Sequence, residues 1–200
     1  MISRTSNPGM NRNRHLAALS AAVLAATVIA APAAGAATRP SCPTPSKAEV
    51  KRANSSDVDR PARRSNAIKG VRVEVLPRGF THGQVEVSRH DGLTEYGYQW
   101  SDNRDDVDLK HRWLWVRVVC KPGLRGLNAL KKAPLRLGTF SGDVRTAKIG
   151  DRKVLTMKGD GALGHGRYVG WVERDGVAVT VMASEPLVPD LSRIVAGIRL

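Results

Sequence analysis

The sequence lacks the residue patterns that usually mark an enzyme or a metalloprotein. Its histidines after residue 37 are His82, His90, His111 and His165, and none forms the i, i+4 pair that binds a metal from a helix. No Gly-x-Ser-x-Gly motif occurs, so the sequence contains no nucleophile elbow. Ser88 would share a strand face with His90, but no acidic partner accompanies them. We therefore expect a non-enzymatic protein with no cofactor and no metal ion.

Acidic residues are missing from the N-terminus, since none precedes Glu49. Arginines followed by an apolar stretch over 16–31, and then by proline and small residues, are typical of a secretory signal peptide. Cleavage is expected after Ala36 or Ala37. The alternative, an uncleaved membrane anchor, calls for a longer apolar stretch. We predict that residues 1–37 are a signal peptide, that only this segment meets the membrane before cleavage, and that the mature protein is secreted or extracytoplasmic.

Large apolar side chains are also missing from the segment that follows. Residues 38–66 contain no Leu, Ile, Met, Phe or Trp and are rich in Pro, Ser, Arg and Lys, a composition typical of disordered chain. From Ala67 onward, Val, Leu, Ile and Trp recur in short runs. We predict a flexible basic tether over 38–66 and a single folded domain over 67–200.

The net charge of the chain is basic. The whole chain carries +14, and residues 67–200 contribute 22 basic and 15 acidic side chains to it. This excess is moderate and scattered, unlike a nucleic-acid-binding face, so we expect no nucleic-acid partner. Outside a cell it would favour anionic cell-surface polymers or lipid head groups, or serve solubility alone. The acidic run 102–108 could ligate calcium, but it lacks the glycine and glutamate of an EF-hand loop and equally suits a solvated turn.

Short strands separated by turns dominate the rest of the pattern. Apolar and polar residues alternate over 71–76, which is typical of a half-buried strand. Asp91-Gly92, Gly150-Asp151 and Asp175-Gly176 each lie between two such runs and are predicted to close hairpins. The run from Trp113 to Cys120 is predicted to be a central strand. Its two faces would hold Trp113, Trp115, Arg117 and Val119 on one side and Leu114, Val116, Val118 and Cys120 on the other.

Two helices are predicted. The first, over 124–132, is short and interrupted by Gly126. The second, over 189–198, begins with Pro189, which suits a first helical turn. Four apolar residues give it one buried face with i, i+3, i+4, i+7 spacing: Leu191, Ile194, Val195 and Ile198. The expected fold is therefore α+β, a mainly antiparallel sheet with a C-terminal amphipathic helix packed on it.

A literal Gly-x-Gly-x-x-Gly string occurs at 159–164. In a dinucleotide site such glycines lead from a strand into a helix whose N-terminus holds the pyrophosphate. Here the next residues, 165–169, have the pattern of a strand. We therefore interpret the string as a loop and expect no nucleotide cofactor.

The C-terminal region resembles known exported domains. The run Gly170–Val179, followed by Leu187 and by Leu191–Val195, resembles the closing hairpin and helix of exported bacterial sensor or carrier domains, including the lipoprotein-carrier-like fold of envelope sigma-factor regulators. It is also similar to the end of small lipoproteins with the Mog1/PsbP-like fold. Both resemblances imply an apolar or protein ligand, and neither implies catalysis.

Three classes of function remain open at this point. The first is an exported non-enzymatic domain that binds a hydrophobic ligand or an envelope protein. The alternative is a secreted inhibitor, or a surface protein that binds polyanions or cell wall, and the third is an unrecognised hydrolase. A deep apolar pocket would favour the first class, one continuous basic face the second, and a histidine–carboxylate pair in a cleft the third.

Cysteine is scarce, with Cys42 and Cys120 alone in the chain. Two cysteines are too few for a structural zinc site. Export would place both in an oxidising compartment, so we predict a disulfide between them. In the alternative, Cys120 stays reduced in the core and Cys42 pairs two chains.

Overall fold

A computed structural model describes residues 41–55, 58–62, 67–103, 110–159 and 165–200. Its elements, in chain order, are α1 (Lys47–Ser55), β1 (Arg72–Val73), β2 (His82–His90), β3 (Leu93–Ser101), β4 (Trp113–Cys120), α2 (Gly126–Lys131), β5 (Arg145–Ile149), β6 (Arg152–Lys158), β7 (Gly166–Arg174), β8 (Val177–Ser184), a 3-10 helix (Glu185–Asp190), α3 (Leu191–Ala196) and β9 (Ile198–Arg199). The signal peptide predicted over 1–37 lies outside the described residues.

Seven strands form one antiparallel sheet in the order β2-β3-β4-β8-β7-β6-β5. The predicted α+β class, a mainly antiparallel sheet with a C-terminal helix, is confirmed at this level. Strand β4 lies between β3 and β8, which confirms that it is an interior strand. Among the described residues, no helix is long and apolar enough to cross a membrane.

The three predicted hairpins are all present. Two residues, Asp91 and Gly92, join β2 to β3, and both have positive φ, at 49° and 70°. That combination is the one that a type I′ turn requires and that Asp-Gly adopts readily. The turns at 150–151 and 175–176 join β5 to β6 and β7 to β8.

Both faces of the sheet are covered, because β4 and its neighbours are buried on each side. The first core, on one face, includes Leu114, Val116 and Val118 of β4. The second core, on the other face, includes Trp113, Trp115 and Val119. The predicted alternation along β4 is therefore confirmed. The first core also takes residues from β1, α3 and β9, whereas the second takes Leu130 of α2.

The C-terminal helix is shorter than predicted. Residues 185–190 form a 3-10 helix, α3 covers only Leu191–Ala196, and Gly197 ends it. Pro189 lies inside the 3-10 helix, and without an N–H it cannot extend an α-helical ladder. Ile198 instead pairs with Val73 in a two-stranded sheet of β1 and β9. The strand predicted over 71–76 is also shorter than expected, since only two of its residues form β1.

The prediction of a structureless tether over 38–66 is wrong for the described part of that segment. The described residues from 41 onward belong to one compact unit, which includes α1. A capping box starts α1, because the Ser46 N–H donates to Glu49 Oε2 at 2.7 Å and the Glu49 N–H donates to Ser46 Oγ at 3.2 Å. Ala53 and Ala62 pack against the first core. The folded domain therefore begins well before Ala67.

The predicted disulfide is confirmed. Cys42 and Cys120 are bonded, with Cα atoms 6.1 Å apart, a usual separation for a disulfide. The bond joins the segment before α1 to the end of interior strand β4, and both sulfurs pack against the first core.

Candidate ligand-binding groove

A groove of about 1090 Å³ lies beside β3, on the side of the first core. Its volume is slightly above the range of about 300–1,000 Å³ that is typical of ligand sites. The lining comes from two irregular segments and one strand residue: Arg60, Pro61, Ala62, Leu76, Pro77, Arg78, Gly79, Phe80, Thr81 and Trp100.

Aromatic side chains of β3 hold one wall of this groove in place. The Trp100 indole N–H donates to the Ala62 carbonyl at 2.9 Å. The Ala62 N–H in turn donates to the Tyr98 hydroxyl at 2.9 Å. Both aromatic residues are buried, with Trp100 fully so at 0% exposure. This wall of the groove is therefore held in place by side chains of the core.

Arg112 fixes the opposite wall. Its guanidinium donates to the Arg78 carbonyl at 2.7 Å and lies 5.6 Å from the centre of the Phe80 ring. Gly79, between those two residues, has φ of 95°, a conformation that favours glycine. The backbone N–H of Arg112 donates to Asp102 Oδ1 at 3.2 Å, which ties this wall to the end of β3.

The charged residues of the groove are all basic. Arg60 and Arg78 are exposed, and neither forms an ion pair with another described residue. The nearby acid Asp59 is already bonded to Arg52 at 3.1 Å. An apolar floor with unpaired guanidinium groups at its edge is suited to a ligand that is apolar and, in part, anionic.

A polar cluster is buried on the other face of the sheet, the side of the second core. Arg117 is 2% exposed and donates to Glu95 (3% exposed) at 2.5 Å, to Thr180 Oγ1 at 3.2 Å and to the Leu137 carbonyl at 2.7 Å. It also lies 4.4 Å above the Trp115 ring. Every described bond of this arginine is internal, so the cluster serves to hold the sheet and the loop after α2 together.

A cavity inside this buried cluster is too small for an organic ligand. It measures about 10 Å³ and is bordered by Glu86, Trp115 and Arg117, among others, which is close to the space of one water molecule. Burial raises the pKa of Glu86, despite the opposing charge of Arg117. The Trp115 indole N–H has no partner among the described residues.

A histidine–carboxylate pair does border a cleft on this face. His90 lines a space of about 540 Å³ together with Ser88 and Asp91. Its Nε2 bonds Glu95 Oε1 at 2.9 Å and its Nδ1 bonds Asp91 Oδ2 at 3.3 Å. The bond to Glu95 raises the pKa of His90, and Asp91 adds to this effect. Burial acts in the opposite direction but is outweighed. Both ring nitrogens are thus occupied by carboxylates, which leaves neither to accept a proton from a substrate.

Another serine and histidine meet at the end of β3. Ser101 Oγ lies 2.8 Å from His111 Nε2, and Asp102 Oδ1 is 3.7 Å from that same nitrogen. In a catalytic triad the carboxylate bonds the other ring nitrogen, opposite the serine. The three residues therefore lack triad geometry. Of the remaining histidines, His82 bonds Thr81 Oγ1 and His165 is exposed.

The other sequence motifs contribute no site within the described residues. Residues 104–108 of the acidic run and 160–164 of the glycine string lie outside them. The glycine string is followed by β7, a strand, as predicted. No group of three or more His, Cys, Asp or Glu able to hold a metal occurs in the described ranges.

Comparison with known proteins adds no assignment. No family model matches this chain, and neither a curated protein nor a solved structure does. The resemblances of the C-terminal region to carrier-like and Mog1/PsbP-like domains therefore stay predictions.

The sequence did not predict the groove, although one pattern marks the strand that borders it. Tyr96, Tyr98 and Trp100 alternate along β3 and all belong to the first core. An alternating aromatic run marks the buried face of a strand. What the alternation does not reveal is that residues 60–62 and 76–81 lie against this strand, because those contacts join distant parts of the chain.

Proposed function

We propose that this protein is an exported, non-enzymatic domain that binds a hydrophobic ligand, or an apolar part of an envelope protein, in the groove beside β3. The observation that carries the proposal is the groove itself, with Leu76, Phe80 and Trp100 in its lining. Its walls are held by the hydrogen bonds of Trp100 and Arg112 to the backbone of the lining. Preformed, mostly apolar concave sites are the usual form of small-molecule sites.

Export is supported by two features of different origin. The pattern over 1–37 is that of a signal peptide. The disulfide between Cys42 and Cys120 is a bond that persists in oxidising compartments and is rare in the cytosol. N-terminal sequencing of secreted protein should begin near Ala37 or Thr38, and recovery of Met1 on exported protein would contradict this part of the proposal.

A binding role fits the polar clusters better than hydrolysis does. The nitrogens of His90 are both held by carboxylates, and His111 meets Ser101 and Asp102 through a single nitrogen. A general base needs a nitrogen free to take the proton that it removes, which His90 lacks. A serine–histidine pair needs a carboxylate on the ring nitrogen opposite the serine, whereas Asp102 lies at the same nitrogen as Ser101. The alternative, a secreted inhibitor or a polyanion-binding surface protein, draws on the net charge and on the disulfide. Two of these basic residues, Lys148 and Lys153, lie at the β5 edge of the sheet, where basic side chains also discourage pairing with other strands.

Titration with the neutral fluorescent probe N-phenyl-1-naphthylamine tests the proposal. Phe80→Glu replaces an apolar ring of the lining with a carboxylate beside the Arg112 guanidinium, and it should weaken binding of the neutral probe by about tenfold, since apolar contact surface is lost. Leu137→Glu is the matched control, because Leu137 is exposed on the opposite face. Equal probe affinity in both variants, with melting temperatures near that of the wild type, would show that the groove is not the binding site.

A further inference from the structure

We propose that the natural occupant of the groove is an anionic single-chain amphiphile, an aliphatic chain that ends in a carboxylate or phosphate. This inference rests on the proposed function and adds the chemical class of the ligand. It follows from the arrangement of charge and of backbone hydrogen bonds around the groove.

The charge at the groove is of one sign. Arg60 and Arg78 are exposed at its edge without an acidic partner among the described residues. No acidic residue belongs to the lining. Guanidinium groups bind carboxylates and phosphates through paired, charge-assisted hydrogen bonds. An oxyanion at the edge, with its chain over Leu76 and Phe80, would therefore match both the polar and the apolar part of the groove.

The backbone of the lining argues for an aliphatic chain over an extended peptide. A bound peptide strand gains affinity from main-chain hydrogen bonds to its receptor. In this lining the N–H and carbonyl of Ala62 are bonded to Tyr98 and Trp100. The Arg78 carbonyl is bonded to Arg112, and the Thr81 N–H donates to the carbonyl of Ser101.

Two prolines further reduce the number of backbone N–H groups that could bond a peptide. Pro61 and Pro77 both belong to the lining and carry no N–H. Much of the backbone that would pair with a peptide is therefore already bonded or lacks a donor. An aliphatic chain needs no such bonds, only apolar surface, which the side chains of the lining provide.

Displacement of N-phenyl-1-naphthylamine by ligands with the same chain tests the inference on the disulfide-bonded protein. Dodecanoate and dodecyl phosphate should displace the probe at concentrations about tenfold lower than dodecan-1-ol, the scale expected for a charge-assisted bond. Dodecyltrimethylammonium should be the weakest. Higher salt should reduce the advantage of the anions, because the guanidinium groups are exposed.

Arginine variants assign the effect to the groove. Arg60→Gln/Arg78→Gln should bring the anions to the affinity of the alcohol and leave the alcohol unchanged. Lys148→Gln/Lys153→Gln removes the same charge near the opposite edge of the sheet and should keep the preference. A preference that survives in the arginine variant would overturn the inference.

The remaining outcomes separate this inference from the proposed function. Equal affinities for dodecanoate, dodecan-1-ol and dodecyltrimethylammonium would overturn the inference that the ligand is anionic. The groove would then be a site for apolar ligands of any charge. If a peptide of alternating leucine and aspartate displaced the probe at lower concentrations than dodecanoate, the inference of an aliphatic ligand would be overturned. A segment of a protein would then be the better candidate for the occupant. Failure of the wild-type protein to bind the neutral probe would overturn the proposed function itself.

Discussion

The Tyr96 hydroxyl donates a hydrogen bond to Glu49 Oε1 at 2.6 Å. Glu49 caps the start of α1, whereas Tyr96 is fully buried in the middle of β3. One carboxylate thus closes the capping box with Ser46 and holds the helix to the sheet. The same hydroxyl accepts a bond from the Lys69 N–H at 2.9 Å, so the segments before and after residues 63–66 meet at one side chain.

Glu49→Gln tests this junction through its pH dependence. Burial opposes ionisation of Glu49, but hydrogen bonds from Tyr96 and Ser46, together with the charge of Arg52, lower its pKa below 4.5. The carboxylate therefore stabilises the fold fully above pH 4.5, and this stabilisation is lost as the pH falls through the lower folded-state pKa. Glu49→Gln should cost about 1–2 kcal/mol near pH 7, measured by urea unfolding.

The cost of Glu49→Gln should shrink progressively in unfolding curves below pH 4.5. Glu185→Gln is the control, because Glu185 is exposed and no described residue bonds its side chain. A cost for Glu49→Gln that stays the same at pH 3 and pH 7 would contradict the role of the ionised carboxylate.

Glu95→Gln should be strongly destabilising. It would leave the Arg117 guanidinium charged and buried without its counterion, at a cost of about 3–5 kcal/mol. Glu74→Gln removes one side of a partly exposed ion pair with Arg199 and should cost under about 1 kcal/mol. Denaturant unfolding of the two variants gives the comparison, and similar costs would show that the buried pair is not a structural anchor.

Ile194→Asp tests whether α3 is held against the core. Ile194 is fully buried in the first core, so the variant should lose about 3–5 kcal/mol of stability, as expected for an unpaired buried charge. Ser192→Asp introduces the same charge at an exposed position of the same helix and should change the melting temperature little. Matching melting curves for these variants would mean that α3 is not packed.

The disulfide has both a chemical and an energetic test. Oxidised protein should run as a monomer without reductant and be lighter, by the mass of the lost thiol hydrogens, than reduced protein. Cys42→Ser/Cys120→Ser should lose up to about 4.5 kcal/mol by the chain-entropy relation for a loop of 78 residues. A covalent dimer or free thiols in secreted protein would contradict the internal bond.

Local patterns predicted the parts of the fold that depend on local chemistry. The Asp91-Gly92 turn and the two apolar faces of β4 follow from backbone preferences and period-2 alternation. The capping box of α1 was equally local, since Ser46 precedes Glu49 by three positions, but the segment around it is too polar to suggest a helix. Its stability comes partly from Tyr96, which is distant in the sequence.

The groove could not be predicted in the same way. Its two lining segments, 60–62 and 76–81, lack regular structure and precede Trp100 by 19 to 40 residues along the chain. What brings them together is a set of side chain to backbone bonds, such as those of Trp100 and Arg112. Such bonds depend on the register of the finished sheet, which no periodicity within either segment encodes.

Photolabelling tests the binding groove most directly. A dodecanoate that carries a diazirine on its chain is irradiated with the disulfide-bonded protein, and the labelled residues are identified by peptide mass spectrometry. The groove predicts labels on the two lining segments, 60–62 and 76–81, which are lost when unlabelled dodecanoate is in excess. Labels concentrated instead around His90 and the cleft on the opposite face, or spread over the surface and insensitive to competitor, would contradict it.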